Sequence, residues 1–361
     1  MDAEPFARRA ASVGIQSFAA MEFSPSQFDG RRFRNIVPQK HGLASVLHWV
    51  LTRKPGYWPD WIPSEPGPPP PKSSHVLRVT FVNHSTFLLQ VDGLNLLTDP
   101  IWSYRVSPLS WIGPRRHRDP GLRFEDLPPI HAVLLSHDHY DHLDLLTLRR
   151  LKQTHDPQVF TALRIARRLH KIGLRNVVEL DWWQSTTLGN GARLTAVPAQ
   201  HFSGRSPFDR NRTLWCGLVL ESPSAVIYFA GDTGHGPHFG QIAARFPRID
   251  VSILPIGAYR PEWFMGEVHL APHEAVEAHR ILGSRISIAC HYRCFPLADD
   301  GEREPSQQLQ RALADVPGTE FWEMGHGEGR ETGEPQIPHR LEPVRDDNSN
   351  RSAFRTTEVV P

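Results

Sequence analysis

The hydrophobic residues in the middle of the chain fall into short runs that polar or turn-forming residues separate. The run "VLRVTFV" begins at Val76, and Asp92-Gly93, a dipeptide that favours a tight hairpin turn, separates "TFLLQV" from "LNLLT". Further runs are "AVLLS", "NVVEL", "ARLTAV", "LWCGLVL", "AVIYFA", "VSILPI" and "ISIAC". Their length and composition predict strands, and the first three predict a β-meander.

Helical patterns lie between these runs, near residues 145–153, 161–172, 272–282 and 305–316. Several strand runs are almost continuously apolar, which is typical of strands covered on both faces. Two packed sheets with helices outside them meet that requirement. We therefore predict a mixed α/β (α+β) protein built as a four-layer αββα sandwich.

The chain divides into three regions. Residues 1–75 are rich in proline and tryptophan and end in "PSEPGPPPPKSS", a polyproline-type spacer that cannot pair into a sheet, so they are interpreted as an N-terminal extension and linker. The patterned residues 76–330 form the predicted main domain. Residues 331–361 lack periodicity and large apolar groups, which predicts a disordered tail.

The chain has 40 basic and 39 acidic side chains among 361 residues, a formal net charge of +1. No global field therefore recruits nucleic acid or an anionic membrane, and such a partner would have to be held locally. No run approaches the roughly 18 apolar residues of a membrane span, and the first residues do not resemble a secretion signal. We expect a cytoplasmic protein that does not bind nucleic acid, and the sequence leaves a homodimer open.

The chain has only three cysteines, Cys216, Cys290 and Cys294, and so small and odd a number argues against a disulfide framework. Two of them flank His291 in "ACHYRC", which raises a sulfur-ligated zinc site as an alternative. The second pair of ligands that such sites usually need is absent, so this alternative is disfavoured.

Residues 136–142 read "SHDHYDH" and follow the strand run "AVLLS". Where a strand ends and the chain stays extended, residues two apart point the same way, so His137 and His139 can face one ion. Asp141 and His142 then turn toward a second ion. Two ions in four- or five-coordinate shells need more ligands than this loop supplies.

Three further candidates each stand where an apolar run stops, namely His201, Asp232 and His291. The glycine-flanked Asp232 can bridge two ions, because its two oxygens are separable ligands and the glycines allow a close backbone approach. Each of the three alone fits an ordinary polar residue at a strand end. Together with the loop they complete two shells, which predicts a centre of two zinc ions, with iron or manganese as alternatives.

The stretch "HDHYDH" has the HxHxDH pattern of the metallo-β-lactamase fold superfamily, and the later candidates follow in that family's order. The stretches "LLTDPIWSYRVSP", "ELDWW", "FAGDTG" and "IGAYRPEWFMGEVHLAPHEAV" resemble the N-acyl-phosphatidylethanolamine-hydrolysing phospholipase D family and its bacterial relatives over residues 76–330. The resemblance implies the metallo-β-lactamase fold. It also implies that one zinc is held by His137, His139 and His201, the other by Asp141, His142 and His291, with Asp232 bridging.

Two more positions match functional residues of the family, Asp99 in "TDP" and His269 in "EVHLAP". With Asp141 they form the predicted catalytic set. Asp99 is expected to accept the free N–H of a ligand imidazole, the alternative being a turn residue before Pro100. For His269 the expected role is to donate a proton to the leaving alkoxide or to orient a phosphate oxygen, and the alternative is a cap of the helix that begins at Pro272. His84 in "NHSTF" resembles a superfamily motif, and a buried core histidine is the alternative.

Two adjacent cations lower the pKa of a shared water, and the resulting hydroxide suits attack on a phosphodiester. The resemblance implies cleavage of N-acyl-phosphatidylethanolamine into an N-acylethanolamine and phosphatidic acid. Related families cleave lactones, thioesters or nucleic-acid phosphodiesters, and the motif does not separate them. A general phosphodiesterase, a lactonase and a non-catalytic metal-stabilised binding module therefore stay open.

The segment "LASVLHWVLTRKPGYWPDWIP", residues 43–63, leaves two alternatives for the extension. Six apolar residues of this segment can seat at a lipid headgroup boundary, namely Leu47, Trp49, Val50, Leu51, Trp58 and Trp61, which would make the protein a peripheral membrane protein. They can also pack across the sandwich. The small basic face favours packing, because interfacial helices usually carry more cations.

Overall fold

The computed structural model describes residues 23–109 and 111–333. The first 22 residues of the predicted extension, and residues 334–361 of the predicted tail, lie outside the described residues. The strands, in chain order, are β1 (Gln27–Phe28), β2 (Phe33–Arg34), β3 (Arg78–Asn83), β4 (Thr86–Val91), β5 (Leu94–Thr98), β6 (Ala132–Leu135), β7 (Gln158–Ala162), β8 (Val177–Leu180), β9 (Ser185–Thr187), β10 (Arg193–Val197), β11 (Gly217–Glu221), β12 (Val226–Phe229), β13 (Val251–Pro255), β14 (Ile286–Cys290), β15 (Phe321–Trp322) and β16 (Gly329–Glu331). The helices are α1 (Leu43–Thr52), α2 (Leu145–Thr154), α3 (Ala166–His170), α4 (His238–Arg245), α5 (Glu262–Met265), α6 (Pro272–Leu282) and α7 (Glu304–Ala314).

Two seven-stranded sheets form the body of the protein. One has the order β16-β3-β4-β5-β6-β7-β8 and the other β15-β14-β13-β12-β11-β10-β9. Each combines an antiparallel meander with a parallel part, in which helices such as α2, α4 and α6 make the crossovers that parallel neighbours require. One continuous apolar core contains residues of both sheets, so the sheets pack against each other. The predicted sandwich is confirmed.

The strands of the meander are covered on both faces. Every residue of β4 and β5 is buried, so both faces of these strands are covered, as predicted. Their polar members Gln90 and Asn95 are buried with a hydrogen bond to each other at 2.9 Å. The predicted helix over residues 161–172 is wrong over its first part, because Thr161 and Ala162 are buried at the end of β7 and Arg164 has a φ of 71° that no helix allows. Only α3 remains of it.

The described part of the N-terminal extension lies along the main domain. Its spacer contains no strand, in agreement with its proline content, and is held by backbone groups: Gly67 N–H donates to the carbonyl of Gly121 at 2.7 Å, and the Gln90 side chain donates to the carbonyl of Pro71 at 2.8 Å. At the other end, β16 pairs with β3 and reaches Glu331, one residue past the predicted domain boundary.

Two other expectations concern disulfide bonds and membrane-spanning helices. All three cysteines are free and buried, as expected for a chain without a disulfide framework. Among the helices of residues 23–109 and 111–333, none is long and apolar enough to cross a bilayer.

Candidate metal centre

The candidate ligands follow the ends of strands and lie at one edge of the sandwich. The loop of residues 136–142 leaves β6, His201 follows β10, Asp232 follows β12, and His291 follows β14 directly. Because parallel strands end at the same edge of a sheet, residues that follow them come together although they are far apart in sequence. The structure brings all seven predicted metal ligands into one cluster.

The first half of the cluster contains three histidines and one carboxylate. His137 Nε2 lies 2.8 Å from His139 Nδ1, which lies 3.2 Å from His201 Nε2. The Oδ2 atom of Asp232 is 3.7 Å from His201 Nε2 and 4.0 Å from His137 Nε2. These four ligand atoms lie within 4.8 Å of one another, the span of a single coordination shell.

The second half contains two histidines and two carboxylates. Asp141 Oδ2 lies 3.3 Å from both His142 Nε2 and His291 Nε2. Asp232 Oδ2 lies 3.2 Å from His142 Nε2 and 3.0 Å from His291 Nε2. Asp232 therefore reaches both halves, the position that a bridging carboxylate needs.

Asp99 lies beneath the ligands and supports them. Its Oδ2 accepts hydrogen bonds from His142 Nδ1 at 2.6 Å and from the Ser136 hydroxyl at 2.5 Å, and its Oδ1 accepts one from the Ser136 N–H at 2.8 Å. The same hydroxyl lies 2.9 Å from His137 Nδ1. Asp99 thus fixes the ring of His142 directly and that of His137 through Ser136, which leaves each Nε2 free for a metal.

The protonation of the second half is governed by its carboxylates. Burial alone would lower the pKa of His142, but Asp232, Asp141 and Asp99 together raise it well above its ordinary value. For His291 burial is likewise the largest effect, and the neighbouring Asp232 and Asp141 raise its pKa to about 9. Without a cation, this half holds protonated imidazoles against ionised carboxylates.

The histidines of the first half behave in the opposite way. Burial, followed by repulsion from His142 and His139, lowers the pKa of His137 well below its ordinary range. Burial lowers the pKa of His201 in the same direction, with His139 and His269 adding to it against the effect of Asp232. These rings are neutral at physiological pH, the state in which imidazole binds metal.

His269 lies at the edge of the cluster, with a ring nitrogen within 4.8 Å of the ligand atoms of Asp232 and His291. Its Nδ1 lies 3.9 Å from Asp232 Oδ2 and has no hydrogen-bond partner among the described residues. Burial lowers its pKa to about 4. His269 lines a cavity of about 470 Å³. Its walls are mostly apolar, with Trp49, Phe202, Phe264 and Leu297 among them, and they also include the charged Arg210 and Glu267.

Two further residues, His84 and Asn35, contact the candidate ligands, and the sequence analysis gave neither of them a defined role. His84 Nε2 lies 3.1 Å from Asp141 Oδ2 and within 4.8 Å of the ligand atoms of His142 and His291, so it is a further candidate ligand beside the second half. The His84 carbonyl accepts a hydrogen bond from the His291 N–H. Asn35, from the extension, donates to the His201 carbonyl at 2.6 Å and accepts from the His201 N–H at 3.1 Å. The "NHSTF" motif pointed to His84, whereas no sequence signal pointed to Asn35.

The backbone around the centre is unusual. His84, Asp99 and His291 have φ values of 49°, 31° and 61°, in the left-handed region that side chains other than glycine seldom adopt. Each such residue costs roughly 1–3 kcal/mol, and proteins keep these conformations mainly at functional sites.

The donor set fits divalent cations. Nitrogen and carboxylate oxygen ligands lie close together, and two buried atoms of these ligand residues, His142 Nε2 and Asp232 Oδ1, lack hydrogen-bond partners among the described residues. A cation would satisfy such atoms and neutralise Asp141 and Asp232. Cys290 and Cys294 belong to none of the possible metal-binding groups in the described part of the chain.

Known proteins are similar to this chain in sequence and in fold. A profile described as a beta-lactamase superfamily domain matches residues 94–292. The N-acyl-phosphatidylethanolamine-hydrolyzing phospholipase D 1 of Caenorhabditis elegans is 35% identical over 267 residues, 70% of this chain and 75% of that protein. An uncharacterised protein of Mycobacterium tuberculosis is 40% identical over 241 residues, 65% of this chain and 64% of its own length.

A crystal structure of a possible metal-dependent hydrolase from Veillonella parvula is similar at a TM-score of 0.59 and 16% identity, covering 71% of this chain and 99% of the other. At that identity the likeness shows a common fold. The profile covers the strand ends that carry the seven candidate ligands. The chain therefore belongs to the metallo-β-lactamase superfamily of metal-dependent hydrolases.

Proposed function

We propose that the protein is a phospholipase D-type phosphodiesterase with two zinc ions, which hydrolyses N-acyl-phosphatidylethanolamine to an N-acylethanolamine and phosphatidic acid. The observation that carries this proposal is the apolar cavity at His269, which places space for a hydrocarbon chain directly beside a centre suited to phosphate. The name of the Caenorhabditis relative supports the same substrate.

The side chains suggest how a phosphodiester is held. A pair of divalent cations at the centre would supply an ionised water as nucleophile and neutralise the phosphate charge. His137, His139, His201, Asp141, His142, His291 and Asp232 would hold them. His269, between the cavity and Asp232, would contact the phosphate, while Asp99 keeps the ligand imidazoles in orientation.

The proposed reaction forms one bond and breaks one bond. The oxygen of water becomes bonded to phosphorus, the bond between phosphorus and the ethanolamine oxygen breaks, and the departing alkoxide receives a proton. Heavy-oxygen water should therefore label the phosphatidic acid and leave the N-acylethanolamine unlabelled. Label in the N-acylethanolamine would contradict this cleavage.

The substrate is tested by a panel on zinc-loaded protein. We expect hydrolysis of a long-chain N-acyl-phosphatidylethanolamine and slower hydrolysis of bis(p-nitrophenyl) phosphate, with none of an acyl-homoserine lactone. Turnover of the lactone alone would overturn the phospholipase assignment. Two bound zinc ions without turnover of any substrate would favour a metal-stabilised binding module.

The role of the cavity is tested by narrowing it. Val46 lines the cavity from α1 and is 39% exposed, so Val46→Trp should narrow the cavity without disturbing the core. We expect kcat/KM for the lipid to fall roughly tenfold while hydrolysis of bis(p-nitrophenyl) phosphate is retained. Ile281→Trp, at a residue of similar exposure on α6, serves as the control. An equal effect of both variants would count against the cavity.

The outer face of α1 fits peripheral contact with a membrane. Leu47, Val50 and Leu51 are 60%, 52% and 76% exposed, whereas Trp49 packs inward against Phe264. We propose that this face rests on the lipid surface and brings the substrate to the cavity. Sedimentation with phosphatidylcholine vesicles should be weaker for Leu51→Glu than for the wild-type protein, and equal sedimentation would argue against this contact.

A further inference from the structure

A basic cleft of about 750 Å³ opens beside α3, and no candidate metal ligand lines it. Its walls come from the extension, from the segment around α3 and from the loop before β11. The cleft is lined by six basic side chains, Arg31, Arg164, Arg167, Arg168, Lys171 and Arg212, and by two acidic ones, Glu179 and Asp209.

The two acidic groups of the cleft are already engaged. Glu179 accepts a hydrogen bond from the Ala166 N–H at 2.7 Å. Asp209 pairs with Arg168 at 2.7 Å and accepts from the N–H groups of Arg205 and Ser206. Asp209 is paired with Arg168, and Glu179 keeps its charge, but the cleft still has six basic side chains against two acidic ones.

Arg168 differs from the other cations of the cleft. It binds Asp209 and also Asp138, which lies inside the metal loop, at 3.0 Å. The remaining five, Arg31, Arg164, Arg167, Lys171 and Arg212, are exposed and have no carboxylate partner within 4.0 Å in residues 23–109 and 111–333. The cleft therefore concentrates positive charge in a chain whose formal net charge is only +1.

We propose that the basic cleft binds a phosphate-bearing anion at a site separate from the metal centre. Guanidinium groups pair with phosphate oxygens through two parallel hydrogen bonds, and four of the five uncompensated cations are arginines. The volume matches that of sites for ligands of sugar-phosphate size. The phosphate can belong to a soluble metabolite or to the headgroup of an anionic phospholipid. The site does not depend on which substrate the metal centre hydrolyses.

The test uses zinc-loaded full-length protein and two probes. Fructose bisphosphate, followed by calorimetry, represents a soluble ligand, and phosphatidylcholine vesicles with and without phosphatidic acid represent a lipid headgroup. The double variant Arg167→Glu with Lys171→Glu should weaken binding of the effective probe about tenfold or more. Arg167→Gln with Lys171→Gln should weaken it less, and added salt should weaken it in the wild-type protein.

The control has the same charge change elsewhere. Arg149→Glu with Arg280→Glu alters two exposed arginines outside the cleft, and it should leave probe binding unchanged. Hydrolysis of bis(p-nitrophenyl) phosphate should be the same in all variants, since none touches the metal centre. A loss confined to the cleft variants supports the site, and the probe that binds identifies the source of the phosphate. Equal affinity in all proteins, or an equal loss in the control pair, would overturn it.

Discussion

The two halves of the metal centre share Asp232 but are supported in different ways. In the first half, His201 is held through its backbone by Asn35, and its ring donates from Nδ1 to the carbonyl of Val268 at 2.8 Å. In the second half, the buried carboxylate of Asp99 holds the ring of His142. Neutral contacts therefore orient His201, whereas the buried carboxyl of Asp99 orients His142 directly and His137 only through Ser136.

This difference has a consequence for metal binding. Neutral histidines of the first half can accept a cation without losing a proton, whereas the second half has to release protons from His142 and His291. The negative charge of Asp141 and Asp232 attracts the cation and so offsets the free-energy cost of releasing those protons. We therefore expect two metal sites that respond separately to changes in their supports, as long as Asp232 stays in place.

The largest effect is expected from Gly231→Ala, which displaces the shared carboxylate. Gly231 has a φ of 61°, and a Cβ there would lie 2.5 Å from the Ser136 Cβ and 2.9 Å from its hydroxyl. Ser136 in turn contacts Asp99 and His137, so both halves are disturbed. We expect hydrolysis to fall by about 100-fold or more, because small misplacements of catalytic groups have effects of that size. Elemental analysis should show loss of both metals.

Gly240→Ala is the matched control for this prediction. Gly240 lies in α4, has no positive φ, and has no heavy atom within 4 Å of a built Cβ. Alanine should stabilise the helix by up to about 1 kcal/mol and leave metal content unchanged. Two tightly held metals in Gly231→Ala would show that the halves do not depend on the Asp232 turn.

Asp99→Asn should affect the second half more than the first. The amide keeps the shape but removes the charge that holds His142, and loss of such a support typically lowers metal affinity or activity by about 10- to 100-fold. Zinc titration against a chelator should resolve one weakened site and one nearly unchanged site. Equal weakening of both sites would mean that the link through Ser136 to His137 matters as much as the direct contact.

Asn35→Ala should weaken the first metal site more than the second, by less than Asp99→Asn weakens the second. Asn35 is buried, and its loss leaves the His201 backbone groups and the Trp215 indole with fewer partners, which costs about 1–3 kcal/mol of folding free energy. The first site should weaken in the same zinc titration. Gln39→Ala is the control, because Gln39 contacts the same carbonyl only at 3.4 Å. A weakened second site instead would contradict the separate supports.

These supports show what the sequence could and could not predict. The bounds of β4, β5, β14 and α6 agree with the apolar pattern to the residue. Turn residues, prolines or glycines delimit β4, β5 and α6, whereas Arg285 and His291 flank β14. The cluster itself could be predicted because its members follow strands in a spaced motif. Asn35 could not, since it lies 166 residues from His201 in a region without periodicity. Short elements such as β9 and β15 depend on neighbouring strands rather than on their own pattern.

The smallest predicted effect concerns His238, which supports the turn that carries Asp232. Its Nε2 lies 3.1 Å from the Thr233 hydroxyl, and that hydroxyl accepts from the N–H of Gln200, next to His201. Burial lowers the pKa of His238 from 6.5 to about 3, so the folded protein keeps this ring neutral. The unfolded chain takes up a proton as soon as the pH falls below 6.5, and stability is therefore lost progressively from there toward pH 3.

Between about pH 7.5 and pH 5, this ring should cost the wild-type protein up to about 2 kcal/mol. His238→Gln cannot titrate, so urea unfolding of the zinc-loaded variant should show a correspondingly smaller loss over this range, whatever its stability at neutral pH. His170→Gln, at an exposed position on α3, should keep the wild-type slope. Identical slopes for all three proteins would mean that His238 accepts a proton in the folded state, and that the Asp232 turn tolerates a charge beside it.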